Sequence, residues 1–206
     1  MGELMDLFEK QIIPLHLSAE LGSAEIVFWP QWLSQQQADD LLDTAIKQTT
    51  WRQDSIKIVG KTIPLPRLQN WFGDPSTSYT YSGIRLPAVS FPEWMDKVRL
   101  SIEQVTEQRF NRALVNYYRS GRDSVDWHAD NEKELGPAPV IASLSLGVER
   151  VFQLRHNETK ERLSISLPHG SLLLMGPGIQ AYWQHRIAKV KALEQPRVNF
   201  TFRYME

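Results

Sequence analysis

The spacing of hydrophobic positions along this chain changes once, near residue 110. Before that point two stretches have helical spacing. Ala38, Leu41, Leu42, Ala45 and Ile46 share one face of a segment over 35–49, and Ser34 with Gln37 forms a capping-box pattern at its start. Trp94, Val98, Ile102 and Val105 form the stripe of a second helix predicted over 93–108, with Pro92 at its first turn. From Arg112 onward the pattern shortens to period two, in runs bounded by turn residues. Strands are predicted over 113–119, 125–129, 139–146, 150–155, 162–167, 171–175, 181–187 and 198–204, with 55–63 and 78–84 as earlier candidates. Two helices followed by about eight short strands predict an α+β, mainly β fold, a β-sandwich or jelly roll with helices against one sheet. Residues 1–20 show no sustained period and are expected to be loosely attached.

Composition narrows the chemistry. The 206 residues suit a single domain with a sizeable core, and the absence of cysteine leaves His, Asp and Glu as metal ligands. No stretch approaches the ~18–20 apolar residues of a membrane span, and the acidic start MGELMDLFEK lacks an apolar signal core. A cytoplasmic protein, or a nuclear one in a eukaryote, is the expectation, and a monomer with no membrane partner. The net charge of −1 announces no nucleic-acid partner, so any basic footprint must be local. Arg52, Lys57, Lys61 and Arg67 could supply one, and Arg186, Lys189, Lys191 and Arg197 another; ordinary solvated cations explain each set equally well.

The stretch NYYRSGRDSVDWHADNE (116–132) holds the candidate chemistry. On a strand, residues i and i+2 share a face, so His128 shares one with Asp126 and with Asp130. Spacing does not choose between the two carboxylates. In 181–187, His185 falls on the apolar side with Trp183 and Ile187, pointing inward. His16 lies in the N-terminal segment, His156 in the charged turn HNETKER, and His169 before Gly170, so His185 is the best partner for the His128 face. Two histidines and a carboxylate on a β scaffold make the facial triad of non-haem Fe(II) oxygenases. In the last strand Arg197, Asn199, Thr201 and Arg203 alternate with Val198, Phe200, Phe202 and Tyr204. Such alternation usually marks a solvated polar face, but two guanidiniums on one face can also clamp a carboxylate. Asn116 and Tyr118 form a further same-face pair able to donate to an oxyanion.

NYYRSGRDSVDWHADNEKELG, IASLSLG, HGSLLLM, WQHRI and PRVNFTFR, in this order, resemble the AlkB family of Fe(II)- and 2-oxoglutarate-dependent nucleic-acid dealkylases, most of all its DNA-acting branches. The likeness runs from about Arg67 to Arg203. It implies a double-stranded β-helix core over about 112–204, iron held by His128, Asp130 and His185, and 2-oxoglutarate held by Asn116, Tyr118, Arg197, Asn199, Thr201 and Arg203. Fe(II), 2-oxoglutarate and O2 are the implied cofactors. PRLQNWFGDPSTSYTYSG resembles the family's nucleotide-recognition lid, expected over about 52–84, with Arg67, Tyr79, Tyr81 and Ser82 at the base pocket. An aromatic face suits a base that has left its stack; without the resemblance, Tyr79 and Tyr81 read as a packing pair.

Two departures from the family pattern concern substrate. Many DNA-acting members carry an acid directly after the iron-binding Asp; here Asn131 stands there, followed by Glu132. An amide oxygen still accepts from an exocyclic amine but does not complement a cationic methylated base. At Ile58-Val59-Gly60-Lys61, where duplex-acting relatives carry an aromatic wedge, Val59 is small, which favours single strands. The implied activity is oxidative demethylation of 1-methyladenine- and 3-methylcytosine-type bases in alkylated DNA, with RNA as a second partner, releasing formaldehyde. The alternatives are a 2-oxoglutarate oxygenase of RNA, protein or a small molecule, and a non-catalytic β-sandwich that binds nucleic acid or a partner protein.

Overall fold

The computed structural model describes residues 9–58, 60–73, 78–81 and 84–205. The chain enters as an antiparallel hairpin of β1 (Gln11–Ser18) and β2 (Gly22–Trp29). Loose attachment therefore does not hold for residues 11–18. Leu15 and Leu17 are buried in the apolar layer between two sheets, and the alternation of Ile13, Leu15 and Leu17 with exposed Pro14 and His16 is a period-two signal too short to read from the sequence. Helix α1 (Gln35–Gln48) starts as its sequence predicts: Ser34 Oγ accepts from the Gln37 amide and Gln37 Oε1 from the Ser34 amide. A hairpin of β3 (Ser55–Ile58) and β4 (Lys61–Pro64) follows, with Gly60 at φ +75° in its turn, then β5 (Leu68–Phe72) and a hairpin of β6 (Ser78–Tyr81) and β7 (Ile84–Pro87). Helix α2 (Glu93–Thr106) is capped by Pro92, which stands just outside the first turn.

The second half of the chain supplies β8 (Arg112–Tyr118), β9 (Val125–His128), β10 (Ile141–Gly147), β11 (Arg150–His156), β12 (Arg162–Leu167) and β13 (Ser171–Met175). A single helical turn, α3 (Ile179–Tyr182), precedes β14 (Trp183–Ile187), and β15 (Arg197–Arg203) ends the fold. The strand predicted over 181–187 thus begins at Trp183, because residues 179–182 close a turn after Gly178 at φ +87°.

A seven-stranded sheet runs β1-β2-β13-β10-β15-β8-β5, and a four-stranded sheet runs β12-β11-β14-β9. Leu154, Ile165 and Trp183 of the small sheet pack with Ile26, Ile141 and Leu173 of the large one, so the two sheets face each other across an apolar layer. The other face of the large sheet carries the helices: Ala38 and Ala45 of α1 and Met95 and Ile102 of α2 pack with Val198, Phe200 and Phe202. This is the double-stranded β-helix, a jelly roll with its helices on one sheet. Every residue of β15 is buried. Its apolar face lies under the helices and its polar face looks into the space between the sheets, so the polar face is not solvated. Strand β5 falls within the range expected for the lid, yet it is the edge strand of the large sheet, paired with β8.

His156 is also not the exposed turn residue its charged neighbourhood suggests. It is 1% exposed; its Nδ1 accepts from the Glu158 and Thr159 amides, which leaves Nε2–H to donate to the Leu17 carbonyl at 2.9 Å. The ring ties the β11–β12 turn to the N-terminal strand.

Candidate metal and co-substrate site

β9 and β14 pair antiparallel with His128 directly opposite His185, which brings the imidazole centroids to 4.3 Å. The chain leaves β9 after His128, and Asp130 returns beneath the rings. One ligand atom from each of His128, Asp130 and His185 lies within 4.8 Å of the others. Asp126, by contrast, is exposed, and its Oδ1 accepts from the Trp127 amide. The fold separates the two carboxylates that spacing left equivalent.

The cluster is poised for a cation. His128 Nδ1 lies 2.7 Å from the Asp126 carbonyl, which can only accept; the proton therefore sits on Nδ1 and the Nε2 lone pair is free. Asp130 Oδ2 pairs with Arg203 at 2.8 Å, with both side chains buried, while Oδ1 and His185 Nδ1 are buried without a hydrogen bond. Burial raises the Asp130 carboxyl, but the charges of Arg203, His185 and His128 outweigh it and hold the group well below the usual carboxylate range. Burial, and then the neighbouring His128, pushes His185 down to about 3 against the opposing pull of Asp130; burial lowers His128 as well. At neutral pH the cluster is thus two neutral imidazoles and a carboxylate, the protonation state in which all three can ligate. Two nitrogens and one oxygen fit a 2-His-1-carboxylate iron centre.

A buried cavity continues from the cluster along the polar face of β15, past Arg203, Thr201 and Asn199 to Arg197, with Asn116 and Tyr118 of β8 on its wall. Arg197 is 1% exposed and has no carboxylate partner among the described residues. Its Nη2 donates to Ser145 Oγ at 2.9 Å, it lies 5.1 Å from the Tyr118 ring centroid, and Nε and Nη1 make no hydrogen bond. Burial brings its guanidinium down to about 10. A buried cation short of acceptors is complementary to a carboxylate. Asn199 donates to Ser143 Oγ and the Leu144 carbonyl, and its Oδ1 accepts from Thr201.

Arg67 is 3% exposed and donates through Nε to Asn116 Oδ1 at 2.8 Å. It lines this cavity and also an open groove beside His128, walled by Ile56, Leu65 and Pro66 on one side and Trp127, Arg186 and Lys189 on the other. Asn131 is exposed and lines a separate depression with Lys133 and Gln180, and Glu132 precedes a 3-10 turn over Lys133–Leu135. Neither is part of the cavity lining. Gly60 stands in the β3–β4 turn; Val59 and Ser82 lie outside the described residues, as do the side chains of Tyr79 and Tyr81.

Sequence reasoning missed Ser143, Ser145 and Gln180. The two serines follow from register, being opposite Thr201 and Asn199 on β10, and the alternation in IASLSLG carried that signal. Gln180 is 1% exposed and its Oε1 accepts from the Asp130 amide at 3.0 Å, fixing the loop that carries the carboxylate. Fifty residues separate the pair, and nothing local marks it.

Comparison with known proteins agrees with this geometry. The family model of the 2OG-Fe(II) oxygenase superfamily matches residues 25–203. The mouse protein named Alpha-ketoglutarate-dependent dioxygenase alkB homolog 3 is 39% identical over 194 residues, covering 88% of this chain and 66% of its own length. The human protein of the same name is 38% identical, with 88% and 66% covered. The mouse DNA oxidative demethylase ALKBH2 is 36% identical over 170 residues, covering 79% of this chain and 71% of the relative. The chain thus spans just under two thirds of the length of the homolog 3 proteins. A solved structure described as "The structure of OsALKBH1" shares the fold, with a TM-score of 0.62 at 20% identity, over 87% of this chain and 97% of that one. The His-Asp-His cluster at the head of an arginine-lined cavity therefore sits in a chain that belongs to the AlkB family of the 2OG-Fe(II) oxygenase superfamily, whose cofactors are Fe(II), 2-oxoglutarate and O2.

Proposed function

We propose that this protein is an Fe(II)/2-oxoglutarate-dependent dioxygenase that demethylates N-alkylated bases, of the 1-methyladenine and 3-methylcytosine type, in DNA. The observation that carries the reading is the pairing of a three-ligand cluster, Asp130 and His185 buried and His128 partly so, with a buried Arg197 that has no carboxylate partner among the described residues, at the far end of the same cavity. His128, Asp130 and His185 would hold the iron. Arg197, with Tyr118 and Asn199 beside it, would hold the far carboxylate of 2-oxoglutarate, and Arg203 would both steady Asp130 and face the iron-proximal end. With its co-substrate, the iron would supply oxidation of an N-methyl group by O2, coupled to conversion of 2-oxoglutarate to succinate and CO2; the methyl carbon leaves as formaldehyde and the ring nitrogen regains its lone pair, its proton passing to solvent. The chain's own residues bind, orient and exclude water. His128 lies where cavity and groove meet, so a base entering the groove would present its methyl group there. The name of the ALKBH2 relatives supports DNA as substrate, and a small Val59 supports single strands over duplex.

The test is mass spectrometry of a 1-methyladenine oligonucleotide, single-stranded and annealed, incubated with protein, Fe(II), ascorbate and 2-oxoglutarate. We expect loss of one methyl group, dependent on 2-oxoglutarate and faster on the single strand. Succinate formation with the methyl group retained on both forms would overturn the substrate.

A further inference from the structure

The groove beside His128 has one wall that the reading above leaves without a role. On the outer face of the four-stranded sheet, side chains from three strands converge: Trp127 of β9, Arg155 of β11 and Arg186 of β14. The guanidinium carbons of Arg155 and Arg186 lie 4.5 and 4.4 Å from the Trp127 ring centroid. Among the described residues, neither arginine pairs with a carboxylate. Arg155 donates to Gln184 Oε1 and Arg186 to Gln153 Oε1, each at 2.7 Å, and both acceptors are neutral.

A guanidinium stacked on an indole is held by the ring quadrupole, and its N–H edge stays free. Each of these arginines has five N–H donors and uses one. Two ordered guanidiniums on one indole, Arg186 lining the groove and Arg155 on the same ring, with no carboxylate partner among the described residues, fit phosphate oxygens, which they can engage through a planar fork. The rest of the groove agrees in sign. Arg67 and Lys189 add positive charge, against a single carboxylate among the described lining residues, Asp126, which already accepts from the Trp127 amide. The chain's net charge of −1 makes this concentration local.

We infer that Trp127, Arg155 and Arg186 form a phosphodiester anchor. It takes the backbone of nucleotides next to the base presented at His128, along the wall of the groove opposite the β3–β4 hairpin. The contact is to phosphate, so it contributes affinity and placement without reading sequence. The inference rests on the nucleic-acid reading above.

Two measurements test it. In the first, wild-type protein is treated with a 1,2-dicarbonyl arginine reagent with and without saturating single-stranded 1-methyladenine oligonucleotide, and Arg155 and Arg186 are read by peptide mass spectrometry. Both should be protected. In the second, binding of that oligonucleotide is followed against salt for wild type, R155Q/R186Q and the charge-keeping R155K/R186K. Each phosphate contact in a single strand contributes a slope of about 0.7 in log affinity against log salt, so the glutamine pair should lose on the order of tenfold in affinity and about 1.4 in slope. The lysine pair should keep the slope while binding more weakly, because the stacked fork is lost. Unprotected arginines, or a glutamine pair with wild-type affinity and slope, would overturn the anchor. Should the glutamine pair not fold, the protection result decides. Wild-type protein that demethylates no oligonucleotide would instead overturn the reading beneath it.

Discussion

Asp130 uses its two oxygens differently. Oδ2 pairs with Arg203, and Oδ1, buried and without a hydrogen bond, is the oxygen proposed for iron. The sequence placed His128 between two equivalent carboxylates; the choice between them came first from resemblance and then from burial. Position 126 points to solvent, and position 130 lies past the strand end, where Gln180 and Arg203 hold it. The pairing sets a prediction. Asp130→Ala should abolish iron retention and turnover, and it should also cost about 3 kcal/mol in the metal-free protein by leaving the Arg203 charge buried without this carboxylate. Metal analysis and urea denaturation of apo protein check the two halves. A variant as stable as wild type would show that the pair adds nothing to the fold.

At the scale of elements, β15 positions the site because both its faces are covered. Phe200 and Phe202 lock it beneath the helices, while Arg197, Asn199, Thr201 and Arg203 meet Ser143 and Ser145 across the ladder with β10. Its neighbour β8 ends in a turn held by one carboxylate. Asp123, 5% exposed, accepts from the Arg119 amide at 2.9 Å and from the Arg119 guanidinium at 2.7 and 2.9 Å. Burial alone would raise this carboxyl, but those bonds and the charges of Arg119 and Arg150 hold it below its ordinary value. A carboxyl depressed in the folded state stabilises the fold above its unfolded pKa, and that stability is lost as pH falls through the usual carboxylate range and below. Asp123→Asn should therefore destabilise by about 1–2 kcal/mol at pH 7, a range kept low because the Arg119 side chain is 44% exposed. The difference from wild type should shrink as the pH is lowered from 5 toward 3. Denaturation midpoints across that range check it, and a constant difference would assign the cost to packing.

Across the whole molecule, the proposed metal site is expected to be an addition to a jelly roll whose packing lies elsewhere. His128 and His185 are held by a ladder pair, Asp130 by Gln180 and Arg203, and the apolar layers on either side of the large sheet include none of the three. This differs from small zinc domains, in which metal binding is the folding energy. Removal of iron by chelation should leave far-ultraviolet circular dichroism unchanged and unfolding cooperative. The melting temperature should fall only by the few degrees expected when a bound ligand is lost. Collapse of the spectrum on chelation would place the metal in the folding core.

The sequence by itself determined the two helices, the period-two strands from Arg112 onward and the inward direction of His185, because each of these is written in local spacing. Through the order of its motifs it also determined the family. The N-terminal strands, the buried state of His156 and the edge position of β5 were not legible, since each depends on a partner far along the chain. Leu15 and Leu17 count as core only when the second sheet lies over them. The polar face of β15 shows the difference most directly. Alternation predicts two faces but not what covers them, and only the closing of one sheet over the other turned four polar side chains from a solvated surface into the wall of a buried cavity. Gln180 and the stacked arginines on Trp127 belong to the same class. They are contacts between distant strands and turns, which only the tertiary structure brings together.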